Sequence, residues 1–200
     1  MILYRRALAG KAALRVETVF SHELAAMAHV TAVQVRRDLM DAGFSGSPSK
    51  GYNVERLIDH IGLILDAPNG MSAAVVGVGN MGRALLAYFS GRNSKINIVA
   101  AFDNDPAKID RVIAGCRCYD SVELRARVKE LGIAVGIITV PADRAQPTAD
   151  ALSDAGVTGI LNFAPMPLRV RPEVHVEQVD IMRALEKVAH FAKQEPLKEV

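Results

Sequence analysis

The stretch VVGVGNMGRALLAY, residues 75–88, sets Gly77, Gly79 and Gly82 at G-x-G-x-x-G spacing between an apolar run and an amphipathic one. That pattern is a strand, a tight turn and a helix. The first glycine makes the turn, the second lets backbone approach a pyrophosphate, and the third lets the helix pack against the strand. A phosphate held there meets the free N–H groups of the helix N-terminus, where the helix dipole also favours negative charge. Gly77, Val78, Gly79, Asn80, Met81 and Gly82 are therefore the expected phosphate cradle. Asp103, with Asn104 beside it, closes the next apolar run, INIVAAFDND (96–105). A carboxylate at that place accepts hydrogen bonds from an adenosine ribose and repels a 2′-phosphate, which favours NAD and NADH over NADP. A glycine turn that binds nothing, or binds coenzyme A, is the competing reading.

Downstream the rhythm persists. IAVGIITVP (133–141) and VTGILNFAP (157–165) read as further buried strands, giving four with AAVVGVG and INIVAAFDND. NMGRALLAYFS, YDSVELRARVKELG and ADRAQPTADALSDAG read as helices between them, with Asp120 placed to cap the second. Such alternation predicts an α/β domain, a Rossmann-type parallel sheet with helices on both faces, over 71–178. Thr139, Val140 and Pro141, and likewise Asn162 and Phe163, end later strands on the edge where such sheets bind ligands. The last helix, DIMRALEKVAHFAK, carries Ile181, Leu185, Val188 and Ala192 on one face with no helix left to pack against.

The first seventy residues do not belong to that domain. After a helix over 2–15, TVFSHELAAMAHVTAVQVRRDLMDAG (18–43) reads as two short helices joined by a turn. Ser21 is placed to cap the first, and Thr31 and Gln34 have capping-box spacing at the start of the second. At 100° per residue Ala32, Val35 and Leu39 share one face, Val33, Arg37 and Met40 lie opposite, and Gln34 and Arg36 flank them. The polar segment GFSGSPSKGYN follows, then a helix with Val54, Leu57, Ile58, Ile61 and Leu65 in one stripe. A helix-turn-helix with a Gly-rich loop behind it fits a winged-helix DNA-binding domain over 1–66. Thr31, Ala32, Gln34, Arg36 and Arg37 then face the major groove or its phosphates, with Lys50, Gly51 and Tyr52 in the wing. A small helical packing module with solvated charges fits the same residues.

Composition narrows the alternatives. Net charge is +2, yet residues 1–54 hold seven Lys and Arg against four Asp and Glu, which suits a polyanion. No run of eighteen apolar residues exists and MILYRRALAG is too short and basic for a signal peptide, so a cytoplasmic chain is expected. Cys116 and Cys118 lack the C-x-x-C spacing of zinc or thioredoxin-like sites and read as reduced thiols, so no metal is expected. A dehydrogenase needs a substrate domain and a proton-moving group. His22, His29 and His60 fall in the front domain, His175 in the connector and His190 in the last helix, and none follows a nucleotide-domain strand. Catalysis is therefore not expected.

Taken together, YRRAL, SHELAAMAHVTAVQVRRDLM, KGYNV, GVGNMGRALLAY, AAFDNDPAKI, IITVPA, GVTGILNFAP and VEQVDI resemble the Rex family of redox-sensing transcriptional repressors, in order and over nearly the whole chain. The resemblance implies a homodimer that binds an inverted-repeat operator, a Rossmann domain taking NAD or NADH, and a C-terminal helix (179–200) swapped between subunits. It also implies that Tyr88 and Asp180 lie near the nicotinamide and that Arg6 links the two domains, making Arg6, Tyr88 and Asp180 the switch. The wing departs from the family: FSGSPSKGYN stands where many relatives have Tyr-Gly-x-Arg-Gly-x-Gly-Tyr.

Overall fold

The computed structural model describes residues 1–47, 50–65, 70–90 and 95–192; the wing tip at 48–49, most of the expected boundary (67–69) and the end of the expected C-terminal segment lie outside them. Packing divides the chain into two units, Met1–Asn69 and Gly70–Val200.

The first unit runs α1 (Ile2–Ala13), β1 (Thr18–Val19), α2 (Ser21–Ala28), α3 (Ala32–Asp41), β2 (Tyr52–Asn53) and α4 (Val54–Leu65). Its core gathers Tyr4 and Leu8 from α1, Leu24 from α2, Val35 and Leu39 from α3, and Leu57 and Ile61 from α4. The helical periods thus bury the stripes they predict. His29, in the left-handed conformation, ends α2, and Thr31 opens α3 by accepting from Gln34 N at 3.1 Å. β1 and β2 pair antiparallel, Val19 opposite Tyr52, and Ser47 bridges Gly51 to close the wing. Gly51 has φ +68, and a Cβ there would meet Val19 O at 2.7 Å, so the turn requires glycine. The architecture is a winged helix. Ser21 does not cap α2, as the sequence suggested: Phe20 holds the cap position and donates its N–H to Glu23 Oε2 at 2.8 Å. Glu23 reaches back and fills the role, which leaves Ser21 as the first helical residue.

The second unit carries β3 (Met71–Val76), α5 (Asn80–Phe89), β4 (Ile96–Asp103), β5 (Val112–Ile113), β6 (Cys116–Asp120), α6 (Leu124–Glu130), β7 (Ile133–Ile138), α7 (Ala142–Ala155), β8 (Gly159–Asn162), β9 (His175–Gln178) and α8 (Ile181–Ala192). The sheet order is β5-β6-β4-β3-β7-β8-β9, parallel except for β5 against β6. Its six parallel strands follow the doubly wound order of dinucleotide-binding folds. Apolar cores cover both faces, one around Phe102, Ile138 and Leu152, the other around Val75, Leu86 and Cys118. The sequence pattern predicts four strands, and among the described residues the sheet has seven. β5 and β9 are short edge strands, and β6 (CRCYD) hides its period by using thiols as its inward apolar residues. His175 is accordingly the first residue of β9 rather than part of a connector. Asp120 caps as expected, accepting from Val122 N at 3.0 Å, although a 3-10 turn precedes α6. Among the described residues no helix is long and apolar enough to cross a membrane.

Candidate functional site

β3 and β7 are neighbours whose connections leave in opposite directions along the sheet, so a crevice opens beyond their C-terminal ends. The glycine turn crosses it. Gly77 sits at φ +95, a left-handed conformation, and a Cβ on Gly82 would lie 2.0 Å from Gly77 O. Both positions are closed to any side chain. At Gly79 a Cβ would meet nothing within 4 Å, so the missing side chain leaves open space in front of the N-terminus of α5. This cradle fits a dinucleotide pyrophosphate.

Two side chains hold the turn from opposite sides. Thr139, just past β7, donates its hydroxyl to Gly77 O at 2.6 Å and lies 3.1 Å from Val76 O. Asp103, buried at the end of β4, accepts from Val78 N at 2.7 Å, from Asp105 N at 3.0 Å and from Lys108 Nζ at 3.1 Å. Burial works against the Asp103 charge, but the Asp105 and Val78 N–H groups and Lys108 more than offset it, holding the carboxyl below its ordinary range. A cleft of about 760 Å³ lies against these groups, within the range of small-molecule sites. Gly77, Gly79, Asp103, Asn104, Thr139, Val140 and Pro141 line it together. Lys108, Leu124, Arg144, Pro147 and Ala151 line it as well and were not read from the sequence. Their signals were present: Lys108 follows Asp103 across a proline turn, and positions 144, 147 and 151 repeat at helical spacing directly after Pro141.

The other expected residues are not among those that line the cleft. Asn80 and Met81 are exposed in the first turn of α5, and Val78 is buried under the turn. Asn162 is fully buried, donating to Met166 O at 2.9 Å and Gln178 Oε1 at 2.7 Å and accepting from Ala164 N at 3.0 Å. Its amide holds the turn after β8 to β9. Phe163 packs into the core beneath α5. Tyr88 lies in the last turn of α5, more than half exposed and edge-on to Phe89. Asp180 caps α8, accepting from Arg183 N at 2.8 Å, and Arg6 is exposed on α1. Cys116 and Cys118 are buried free thiols, and burial pushes Cys116 up to about 11 and raises Cys118 too. They pack rather than react. Among the described residues no cluster of His, Cys, Asp or Glu could hold a metal ion.

In the first unit the predicted outward face of α3 is outward: Val33, Gln34, Arg36, Arg37 and Met40 are exposed, as is Thr31, while Ala32 is half-buried. Arg36 donates to Ser21 Oγ at 3.1 Å, so its guanidinium is tied to the start of α2. Lys50 is exposed in the wing, and the Tyr52 ring is buried against the core, where it anchors the hairpin.

The two units match separate family models. Residues 1–39 match "Putative DNA-binding protein N-terminus" and residues 69–166 match "CoA binding domain". The redox-sensing transcriptional repressor Rex of Chloroflexus aurantiacus is 39% identical over 193 residues, covering 96% of this chain and 91% of the relative. The repressor of the same name from Thermotoga petrophila is 44% identical over 171 residues, 85% of this chain and 81% of the relative. Among solved structures, the Rex-family repressor RSP in complex with NAD+ and operator DNA is 33% identical with a TM-score of 0.86, covering 94% of this chain and 87% of that one. RSP in complex with NADH gives a TM-score of 0.83 at 33% identity, covering 94% of this chain and 88% of that one. With this identity over nearly its full length, and with both units in the expected order, the chain belongs to the Rex family of redox-sensing transcriptional repressors.

Proposed function

We propose that this chain acts in the cytoplasm as a homodimer that holds NAD or NADH in its second unit, binds an inverted-repeat operator through its winged helices, and leaves DNA when NADH replaces NAD. Catalysis is not part of this function. The observation that carries the reading is the presence, on one chain, of a preformed glycine cradle clamped by Thr139 and Asp103 and of a separate helix whose cationic face is exposed. A twofold dimer sets its two recognition helices in successive major grooves, so its half-sites fall one or more turns apart. α8, with its apolar face uncovered, is the proposed dimer element.

Oxidised and reduced nicotinamide differ by a hydride and one positive charge, so the sensing groups must respond to charge at that end. Tyr88 and Asp180 are the proposed pair, with Asp180 pairing to Arg6 in the DNA-binding state. Asp103 is the proposed ribose partner and the reason that NADPH is refused. Its pairing with Lys108 leaves a carboxylate oxygen, Oδ1, that carries one backbone bond. Linkage supplies the test: saturating operator must weaken NADH binding by the factor by which NADH weakens operator binding. NADH affinity is measured with and without a duplex chosen by selection from random sequence, in wild type, Tyr88→Phe and Asp180→Ala. Wild-type affinity that ignores DNA refutes the sensor, and full response in both variants moves the switch elsewhere. The match of residues 69–166 to a coenzyme A-binding model favours a second reading, a coenzyme A-responsive regulator. Displacement of NADH by coenzyme A at equal concentration supports it.

A further inference from the structure

α3 carries a hydrogen-bond chain that the proposed function leaves unused. Tyr4, buried on α1, donates its hydroxyl to Asp38 Oδ2 at 2.5 Å. The other oxygen of that carboxylate, Oδ1, accepts from Gln34 Nε2 at 2.5 Å, one helical turn back. Asp38 is half-buried and Gln34 exposed. The Tyr4 bond first, and the Gln34 bond after it, hold the Asp38 carboxyl below its ordinary range, so it is ionised at neutral pH.

An ionised carboxylate only accepts. Gln34 must therefore turn its NH₂ group toward Asp38, and its carbonyl oxygen cannot take that place. The amide is planar with two N–H bonds. If the N–H trans to Oε1 is the one spent on Asp38, the other lies beside Oε1, and the free edge reads acceptor next to donor. In the major groove adenine alone offers the complement, a donor at N6 beside an acceptor at N7, whereas guanine presents two acceptors there. We infer that Asp38, held by Tyr4, is a positioning residue for base readout: it fixes the Gln34 amide so that α3 presents an edge matched to adenine. An untethered glutamine would offer either orientation and would lose side-chain freedom on meeting the base. Here that ordering precedes DNA. The inference rests on the reading of α3 as the DNA-recognition helix.

Selection from random duplexes with wild type, Gln34→Ala, Asp38→Asn, Tyr4→Phe and the double variant Gln34→Ala/Asp38→Asn tests it, with non-specific affinity and Tm measured alongside. Wild type should prefer adenine at one position per half-site, and Gln34→Ala should lose that preference by about tenfold. An asparagine in place of the aspartate offers either a donor or an acceptor to Gln34, so Asp38→Asn should relax the same position and no other. Tyr4→Phe keeps the carboxylate and should relax it less. The double variant should match Gln34→Ala. An unchanged preference in Asp38→Asn overturns the inference, as does a loss spread evenly over all positions with a lowered Tm. Should Asp38→Asn not fold, Tyr4→Phe decides by the same position-specific criterion. A wild type that selects no duplex removes the DNA reading and this inference together; selection that survives with Asp38→Asn unchanged removes the inference alone.

Discussion

α3 and α8 are amphipathic helices of similar length that end in opposite situations. α3 buries Val35 and Leu39 completely within its own unit and turns two cations and one amide to solvent. α8 buries nothing: Ile181 is 54% exposed, Leu185 60% and Val188 65%. Each large side chain so left contributes roughly 1.5–3 kcal/mol when it is taken out of water. An apolar stripe therefore specifies that a face will be covered, not by what. For α3 the cover is in the same chain; for α8 the proposed cover is a second copy.

Charge placed on each stripe separates the two cases and gives the largest effects. Leu185→Glu with Val188→Glu should convert the proposed dimer to a folded monomer, read by light scattering, and cost operator affinity at least about a hundredfold, since one half-site then binds alone. Val35→Glu should instead abolish cooperative unfolding of the first unit at any protein concentration, because a charge enters a closed core. A folded Val35→Glu protein, or a dimer that survives both glutamates, breaks the contrast.

The cradle is as closed as the core of α3, but around backbone. A Cβ on Gly82 would lie 2.0 Å from Gly77 O, and backbone cannot rotate aside. Gly82→Ala should cost about 1–3 kcal/mol in stability and abolish nucleotide binding by calorimetry, while leaving DNA selection by the first unit intact. Acid loosens the same turn from the other side. Because the folded Asp103 value is depressed, its stabilisation is complete above the ordinary carboxylate value and disappears as pH falls through the lower folded one. Nucleotide affinity should fall over that window in wild type, and an Asp103→Asn protein should lack the component.

Where local chemistry decides, the sequence was sufficient. Gly77 and Gly82 announce the turn because no other residue fits, and α3 shows its faces because Val35 and Leu39 fall one turn apart. The edge strands were illegible for a physical reason: β9 is four residues with little burial, and β6 spends Cys116 and Cys118 as its core residues, so neither shows a long apolar run. The far wall of the cleft was missed because the helical spacing of Arg144, Pro147 and Ala151 marks a shared face of α7 but not what that face meets, which depends on the sheet order. Asn162 sits at the right strand end, but its amide is engaged within the chain, which only the partner residues Gln178 and Met166 reveal.

Two arginines adjacent in sequence sharpen what the exposed face of α3 does. Arg36 is tethered to Ser21, whereas Arg37 points from the centre of the outward face between Val33 and Met40. Arg37→Ala should weaken specific binding by about 1–3 kcal/mol if the guanidinium reads a base, with relaxed preference at one position. If it holds a phosphate, binding weakens alike on all sequences and the salt slope falls by about one. No loss in either measurement removes Arg37 from the interface.

The smallest effects lie at the caps, and there the two helices should diverge by function rather than by energy. Thr31 caps α3 through its hydroxyl and Asp180 caps α8 through its carboxylate, each receiving a backbone N–H three residues on. Replacing either by alanine should cost about 1 kcal/mol of helix stability. Asparagine caps as well as aspartate, so Asp180→Asn should change stability by no more than about 0.5 kcal/mol, the residue being the lost attraction to the helix dipole. It nevertheless removes the charge that the proposed switch requires. Operator affinity measured against NADH then distinguishes the two roles of one side chain. A blunted NADH response in Asp180→Asn at unchanged thermal stability assigns the switch to the carboxylate charge. A fully responsive Asp180→Asn beside an unresponsive Asp180→Ala assigns it to the order of α8 itself, and the contrast with Thr31 would reduce to which helix is capped.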